Sequence, residues 1–248
     1  MSKKSIEGIC KLCKSKQMLI NSHIIPKFLH KKIDPKRNTP CVIYENSKVS
    51  NKNNLGSKEF LLCENCDNVI LSQYENYFNQ VWYKNSVLPD ILNHKDILSI
   101  DIDYDHFLLF HLSIFWRMSV SSLSAFRDID FGEKHNEQIR SMLLNNNNNS
   151  KNPYRIVVKA IEQDKKLFDK IIVKPVRFHI DSHNIYSAIY GGCEVRLKIS
   201  SHGCKKFDDV AMSDKQVNIF IVNYQEIEQL RKTSDIIKDI EYKYGEIK

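Results

Sequence analysis

Cys10-Lys-Leu-Cys13 and Cys63-Glu-Asn-Cys66 bracket the run Asn21-Ser22-His23-Ile24-Ile25-Pro26, and these three stretches decide how the first third of the chain must fold. A C-x2-C turn sets two thiolates at a spacing that one metal ion grips. Two such turns supply the four soft ligands of a closed tetrahedral Zn²⁺ site. The expected ligands are Cys10, Cys13, Cys63 and Cys66. Zinc would then stand in for a small core, because metal binding and folding are linked in such a unit. Four unrelated thiols or two disulfides are the competing readings. Met1 to Gly8 is polar and basic with no apolar run behind it, so no secretory signal and a cytoplasmic location are expected. In a reducing cytoplasm, paired cysteines are more often metal ligands than disulfides.

At 248 residues the chain is long enough for one large domain or two smaller ones. Its net charge of +7 suits a polyanionic partner, and equally a lysine-rich solvated surface. The longest apolar stretch, Phe107 to Phe126, is about long enough to span a bilayer. It carries His111, Arg117 and several serines, however, and an arginine at the bilayer centre costs about 2.5–3.5 kcal/mol or more. A buried core helix is the expected outcome, with no membrane partner.

Three regions follow along the chain, with no internal repeat. Residues 1–98 form the zinc-binding region, 99–150 a helical region and 151–248 an α+β region. Between the cysteine pairs, Asp34 to Lys58 reads as an irregular insertion with at most a short strand at Cys41-Val42-Ile43-Tyr44. After Cys66, Ile70, Tyr74, Tyr77, Phe78 and Val81 share one helical face, so the second pair opens a helix with Asp67 and Asn68 in or just before its first turn. A long central helix is expected over Asp103 to Arg127, and a shorter one over Glu133 to Leu144 that stops at the asparagine run 145–149. Strands are expected at Val176–Ile180, Ile185–Tyr190, Cys193–Ile199 and Gln216–Val222. Asp181 to Asn184 and Gly191-Gly192 are the hairpin turns, and the alternation in Cys193–Ile199 points to a half-buried strand. Asn223 and Glu226 then form a capping box for a last helix running to Tyr244. The fold class is α+β: an N-terminal zinc unit, a long central helix, and a C-terminal antiparallel sheet with a helix.

The order Cys10-x2-Cys13, His23-Ile24-Ile25-Pro26 and a second C-x2-C that opens a helix resembles the zinc-bearing HNH endonucleases, a treble-clef (ββα-metal) family. The likeness covers about the first third of the chain. Bacterial proteins with the same order of features, including the later Ser113-Ile114-Phe115-Trp116-Arg117, are similar over the whole length. The resemblance implies structural zinc on the four cysteines and His23 as the general base that activates water. It also implies a catalytic divalent ion, Mg²⁺ or Mn²⁺, against the scissile phosphate of DNA or RNA, and a role in defence against foreign DNA. Asp67 and Glu75 are the helix carboxylates available to that ion, and Lys27, Lys31 and Lys32 are the basic residues available to phosphates. Three positions depart from the family pattern. Ser22 stands where an acidic metal ligand usually precedes the histidine, no histidine follows Cys66 before His94, and the orienting asparagine is Asn53 or Asn54.

Arg117, set in an apolar helix, needs a carboxylate or carbonyl partner and reads as a structural ion pair. His106 and His111 do not share a helical face. Cys193, His202 and Cys204 match no metal-binding spacing, and His179 with His183 flanks a turn. No phosphate-binding glycine loop and no G-x-S-x-G elbow occurs. Two functions stand: a metal-dependent endonuclease, or a non-catalytic zinc-stabilised module that binds nucleic acid or protein, its C-terminal region carrying the partner surface.

Overall fold

The computed structural model describes residues 5–31, 41–44, 48–49, 58–84, 97–146, 152–169, 171–213 and 217–231. The chain opens with strands β1 (Ser5–Ile9) and β2 (Lys16–His23), followed by helix α1 (Lys27–Lys31), strands β3 (Cys41–Tyr44) and β4 (Lys48–Val49), and strand β5 (Lys58–Cys63). Helix α2 comes next in three parts: a π-helical Cys66–Leu71, an α-helical Ser72–Asn79 and a π-helical Gln80–Lys84. Strand β6 (Ile97–Ile100) and helices α3 (Tyr104–Val120) and α4 (Gly132–Asn145) lead into β7 (Arg155–Gln163), β8 (Lys166–Leu167), β9 (Ile171–Ile180), β10 (His183–Tyr190) and β11 (Cys193–Ile199). Helix α5 (Lys205–Asp208), strand β12 (Val217–Asn223), a 3-10 turn at Tyr224–Glu226 and helix α6 (Glu228–Arg231) complete it.

Two sheets result. The small one has the order β1-β2-β5, and the large one β4-β3-β9-β10-β11-β7-β12-β6 with β8 on β7. The protein is a mixed α+β fold with an N-terminal antiparallel sheet and a C-terminal sheet. Two tight hairpins set the register of the large sheet. Gly191 and Gly192 sit at φ 63° and 76°, and Asp181 and Ser182 at φ 47° and 69°. Two consecutive left-handed residues match the twist of the flanking strands, which is why glycine and aspartate occur there. The second hairpin turns on two residues, so His183 and Asn184 belong to β10.

Helix α3 is apolar almost all round, and a helix of that kind has to be enclosed. From Tyr104 to Met118 its residues are buried apart from Asp105 and His106. It joins the cysteine-bearing region to the large sheet. Phe110 stacks on Phe78 of α2 at 4.0 Å, while His111 Nδ1 bonds the Tyr190 hydroxyl of β10 at 2.8 Å. Complete burial pushes His111 down to about 3, so the ring is neutral. Trp82 Nε1 donates to the Gly191 carbonyl and Tyr74 Oη to that of Leu143, fastening α2 to both the sheet and α4. Among the described residues no helix is long and apolar enough to cross a membrane.

Three expectations change. The central helix stops at Val120 instead of Arg127, because Ser121 and Ser122 turn outward to bond Glu59 of β5: both hydroxyls donate at 2.6 Å and the Ser122 N–H adds a third donor. Serine side chains that find such partners compete with the helix. The C-terminal sheet is mixed, since β12 runs parallel to β7 and β3 parallel to β9. Strand β11 runs antiparallel to β7, so the chain that reverses through α5 and passes to the other edge of β7 arrives parallel to it. Strand β11 is buried on both faces. Its polar positions find ionic partners there, Glu194 with Arg196 at 2.9 Å and Lys198 with Asp208 at 2.6 Å. The capping box of Asn223 and Glu226 forms on the 3-10 turn. Helix beyond Arg231, the asparagines from 147 to 149, Asn53, Asn54 and Lys32 lie outside the described residues.

Trp116 is 1% exposed and its indole N–H bonds the Asn136 carbonyl at 3.1 Å. Trp116→Ala is expected to cost about 3–5 kcal/mol in chemical denaturation. A loss under about 1 kcal/mol would place α3 outside the core.

Candidate metal centre and adjoining cleft

Chain order explains how the cysteines meet. Cys10 to Cys13 form the turn of the β1–β2 hairpin, closed by Cys10 N–H to the Ser15 carbonyl at 3.0 Å and Lys14 N–H to the Cys10 carbonyl at 2.9 Å, with Lys14 left-handed at φ 62°. Strand β5 pairs with β2, opposing Cys63 to Leu19. Cys66 then begins helix α2, so a hairpin turn and a helix start face each other.

All four sulfurs lie within 4.8 Å of one another. Ligand sulfurs of a tetrahedral zinc with Zn–S near 2.3 Å sit roughly 3.8 Å apart. Cys13 Sγ is 4.0 Å from Cys63 Sγ, and the Cys63 N–H points at Cys10 Sγ at 3.4 Å. All four are free thiols. Hydrogen bonding between Cys66 and Cys10 pulls the Cys10 thiol well below its usual range and pushes Cys66 up. The donor set, its spacing and its burial fit a metal ion such as zinc, which would bind the cysteines as thiolates.

Beside this centre opens a cleft of about 530 Å³. Ile20, Asn21 and His23 of β2 form one wall, Pro26 and Lys27 continue it, and Lys58 of β5 stands opposite His23 in the strand register. Asp67, Asn68, Ser72 and Glu75 of α2 form the other wall, with Arg117 of α3 below. The cleft thus gathers His23, Asp67, Glu75 and Lys27 from the expected residues. Lys31 closes α1.

Burial first, then Lys58, His30, Lys27 and Arg117, drive the His23 imidazole down to about 4. It is neutral at pH 7 and carries a lone pair. His30, buried behind it with ring centroids 6.2 Å apart, bonds the Ile25 carbonyl at 3.1 Å and is likewise lowered to about 4 by burial. Arg117 holds the floor together. Its Nη1 meets Glu75 Oε1 at 3.0 Å and donates to the His23 carbonyl at 3.1 Å, and its Nε donates to the Ser113 carbonyl at 3.2 Å. The structural ion pair expected of Arg117 is present, with Glu75 as partner.

A catalytic divalent ion fits less well. Ser22 is buried and its hydroxyl bonds the Ile20 carbonyl. Glu75 is engaged by Arg117, and among the described residues the four cysteines are the one group of three or more His, Cys, Asp or Glu side chains close enough to share a metal. Cys193, His202 and Cys204 make no such group. Sequence spacing missed Lys58 and His30. Lys58 reaches His23 only through strand pairing across a long insertion, whereas His30, seven residues on, belongs to the helix after Pro26. Compared with known proteins, the chain matches no family model, and no curated protein or solved structure is significantly similar to it.

Cytosolically expressed protein is expected to carry about one zinc per chain, with the cysteine unit unfolding on chelation. Elemental analysis finding no metal, with Cys10→Ser leaving the denaturation midpoint unchanged, would refute this. A pH dependence follows from the histidines. Unfolded His23 and His30 take protons near 6.5 but resist them in the fold until about 4. The unfolded state therefore binds more protons in that window, and stability is complete above about pH 6.5 and lost as pH falls towards 4. His30→Gln should flatten that slope in denaturation between pH 7 and 5, and an unchanged slope would assign it elsewhere.

Proposed function

We propose that this chain is an HNH-like protein whose treble-clef zinc unit presents the His23 cleft to the phosphate backbone of nucleic acid. One observation carries the reading. The β2–β5 pair and helix α2, the order of a ββα unit, bring His23, the rim lysines Lys27 and Lys58 and the helix carboxylates to a single cleft beside the four cysteines. Lys27 and Lys58 are exposed, as phosphate-binding side chains must be, and the net charge of +7 favours approach of a polyanion. Binding DNA or RNA is the function this geometry supports best. A role against foreign DNA is what the resemblance adds.

Phosphodiester hydrolysis is the second reading, favoured by the neutral imidazole of His23 on the cleft wall. A neutral histidine can take a proton from water, although a base is most effective with a pKa near the working pH. The charge-paired Glu75 favours the non-catalytic module instead.

Fluorescence anisotropy with labelled single- and double-stranded DNA and RNA tests both. Binding should weaken steeply with salt, and Lys27→Ala and Lys58→Ala should each reduce the log–log slope by about 0.7–0.9. His23→Ala should leave binding and zinc content intact. Cleavage by the wild type in Mg²⁺ or Mn²⁺ that disappears in His23→Ala would establish the nuclease. Failure to bind any of the four substrates at low salt would overturn both readings.

A further inference from the structure

We infer that the His23 cleft takes its phosphate with protein cations alone, and that Arg117 occupies the carboxylate a catalytic divalent ion would need. The inference rests on the cleft being a phosphate site and names how that site works: a phosphodiester group held by Lys27 and Lys58 without Mg²⁺.

The geometry is specific. Arg117 is 1% exposed yet lines the cleft, and Glu75 is its single carboxylate partner within ion-pair distance, at 3.0 Å among the described residues. Further donations run to the His23 and Ser113 carbonyls and, at 3.4 Å, to the Ser113 hydroxyl. A guanidinium stays charged at any pH the fold survives, so it is a permanent cation where a metal would be an exchangeable one. To bind Mg²⁺, Glu75 would have to abandon Arg117 and leave a buried charge unpaired, while Mg²⁺ itself demands near-octahedral oxygen ligation. Burial raises the Glu75 carboxyl overall and Arg117 opposes that rise, while the 3.0 Å contact keeps the carboxylate engaged. Ser22, turned to the Ile20 carbonyl, supplies no replacement oxyanion. With Glu75 paired to Arg117, an incoming phosphate meets the exposed rim cations Lys27 and Lys58 alongside Asp67.

The test uses the full-length, zinc-loaded protein with two probes, a thymidine dinucleotide by calorimetry and Mn²⁺ by electron paramagnetic resonance. The dinucleotide should bind with affinity unchanged within about twofold by millimolar Mg²⁺, and lose affinity at least about tenfold in Lys27→Ala/Lys58→Ala with zinc content intact. Mn²⁺ should find no stoichiometric site in the wild type. In Arg117→Met one should appear, and adding Glu75→Gln should remove it. Should Arg117→Met not fold, the wild-type Mn²⁺ titration and the lysine pair still decide. A one-equivalent Mn²⁺ site in the wild type, or dinucleotide binding that rises tenfold or more with Mg²⁺, overturns the inference while leaving the cleft a phosphate site. No dinucleotide binding in either buffer overturns the phosphate site as well.

Discussion

Two cysteine pairs separated by a long insertion must arrive at one point, and the N-terminal half is arranged around that requirement. The first pair rides on a hairpin turn and the second on the entrance to a helix. Bringing them within 4.8 Å forces β5 alongside β2 and aims α2 away from the centre towards the core. Once α2 has that direction, Tyr74, Phe78 and Trp82 fall against α3, α4 and the sheet, so the cysteine cluster and the large core brace each other. The knuckle is held from the other side as well, by Arg140 of α4, which donates to the Leu12 carbonyl and pairs with Glu137.

The same constraint fashions the cleft. Strand β2 carries His23 out of the cysteine hairpin, and α2 carries Asp67 and Glu75 out of the second pair. The two walls are therefore continuations of the two halves of the cysteine cluster. A guanidinium from α3 closes the bottom. Taking a charge out of water is tolerated only when its hydrogen-bonding capacity is met, and Arg117 meets its own by tying α2, α3 and the end of β2 at one atom group. Its chemistry is that of a fixed brace, and it gives the cleft an internal charge balance unlike that of an open metal site.

Much of this was legible in the sequence, for identifiable reasons. Cysteine spacing is a local code, so the four cysteines that gather within 4.8 Å of one another could be read off directly. Hairpins at Gly191-Gly192 and within Asp181 to Asn184 were equally plain, although the second turns on its first two residues alone. The partner of Arg117 was a class of residue, not a number, until α2 and α3 packed. The parallel placement of β12 depends on a crossover whose path no local pattern encodes, and β7 and β6 escaped notice because their apolar content carries no clean alternation. Where α3 ends was misjudged since apolar periodicity continues through Leu123 and Phe126, while the decisive event is a serine–glutamate contact with β5.

Helix α2 widens into π-helical turns at both ends, Cys66–Leu71 and Gln80–Lys84. Such turns accommodate one residue more than an α-helical path of the same course and recur at functional sites. The first lies between the clustered Cys66 and the cleft carboxylate Glu75, so it acts as a phase adjuster between two demands on one rod. Cys66 must face the hairpin, Glu75 must face Arg117, and Tyr74 must still reach the core. Losing a single residue there would restore an ordinary helix at the expense of a rotation of about 100°. Sequence length in this short interval is thus under tighter restraint than sequence identity.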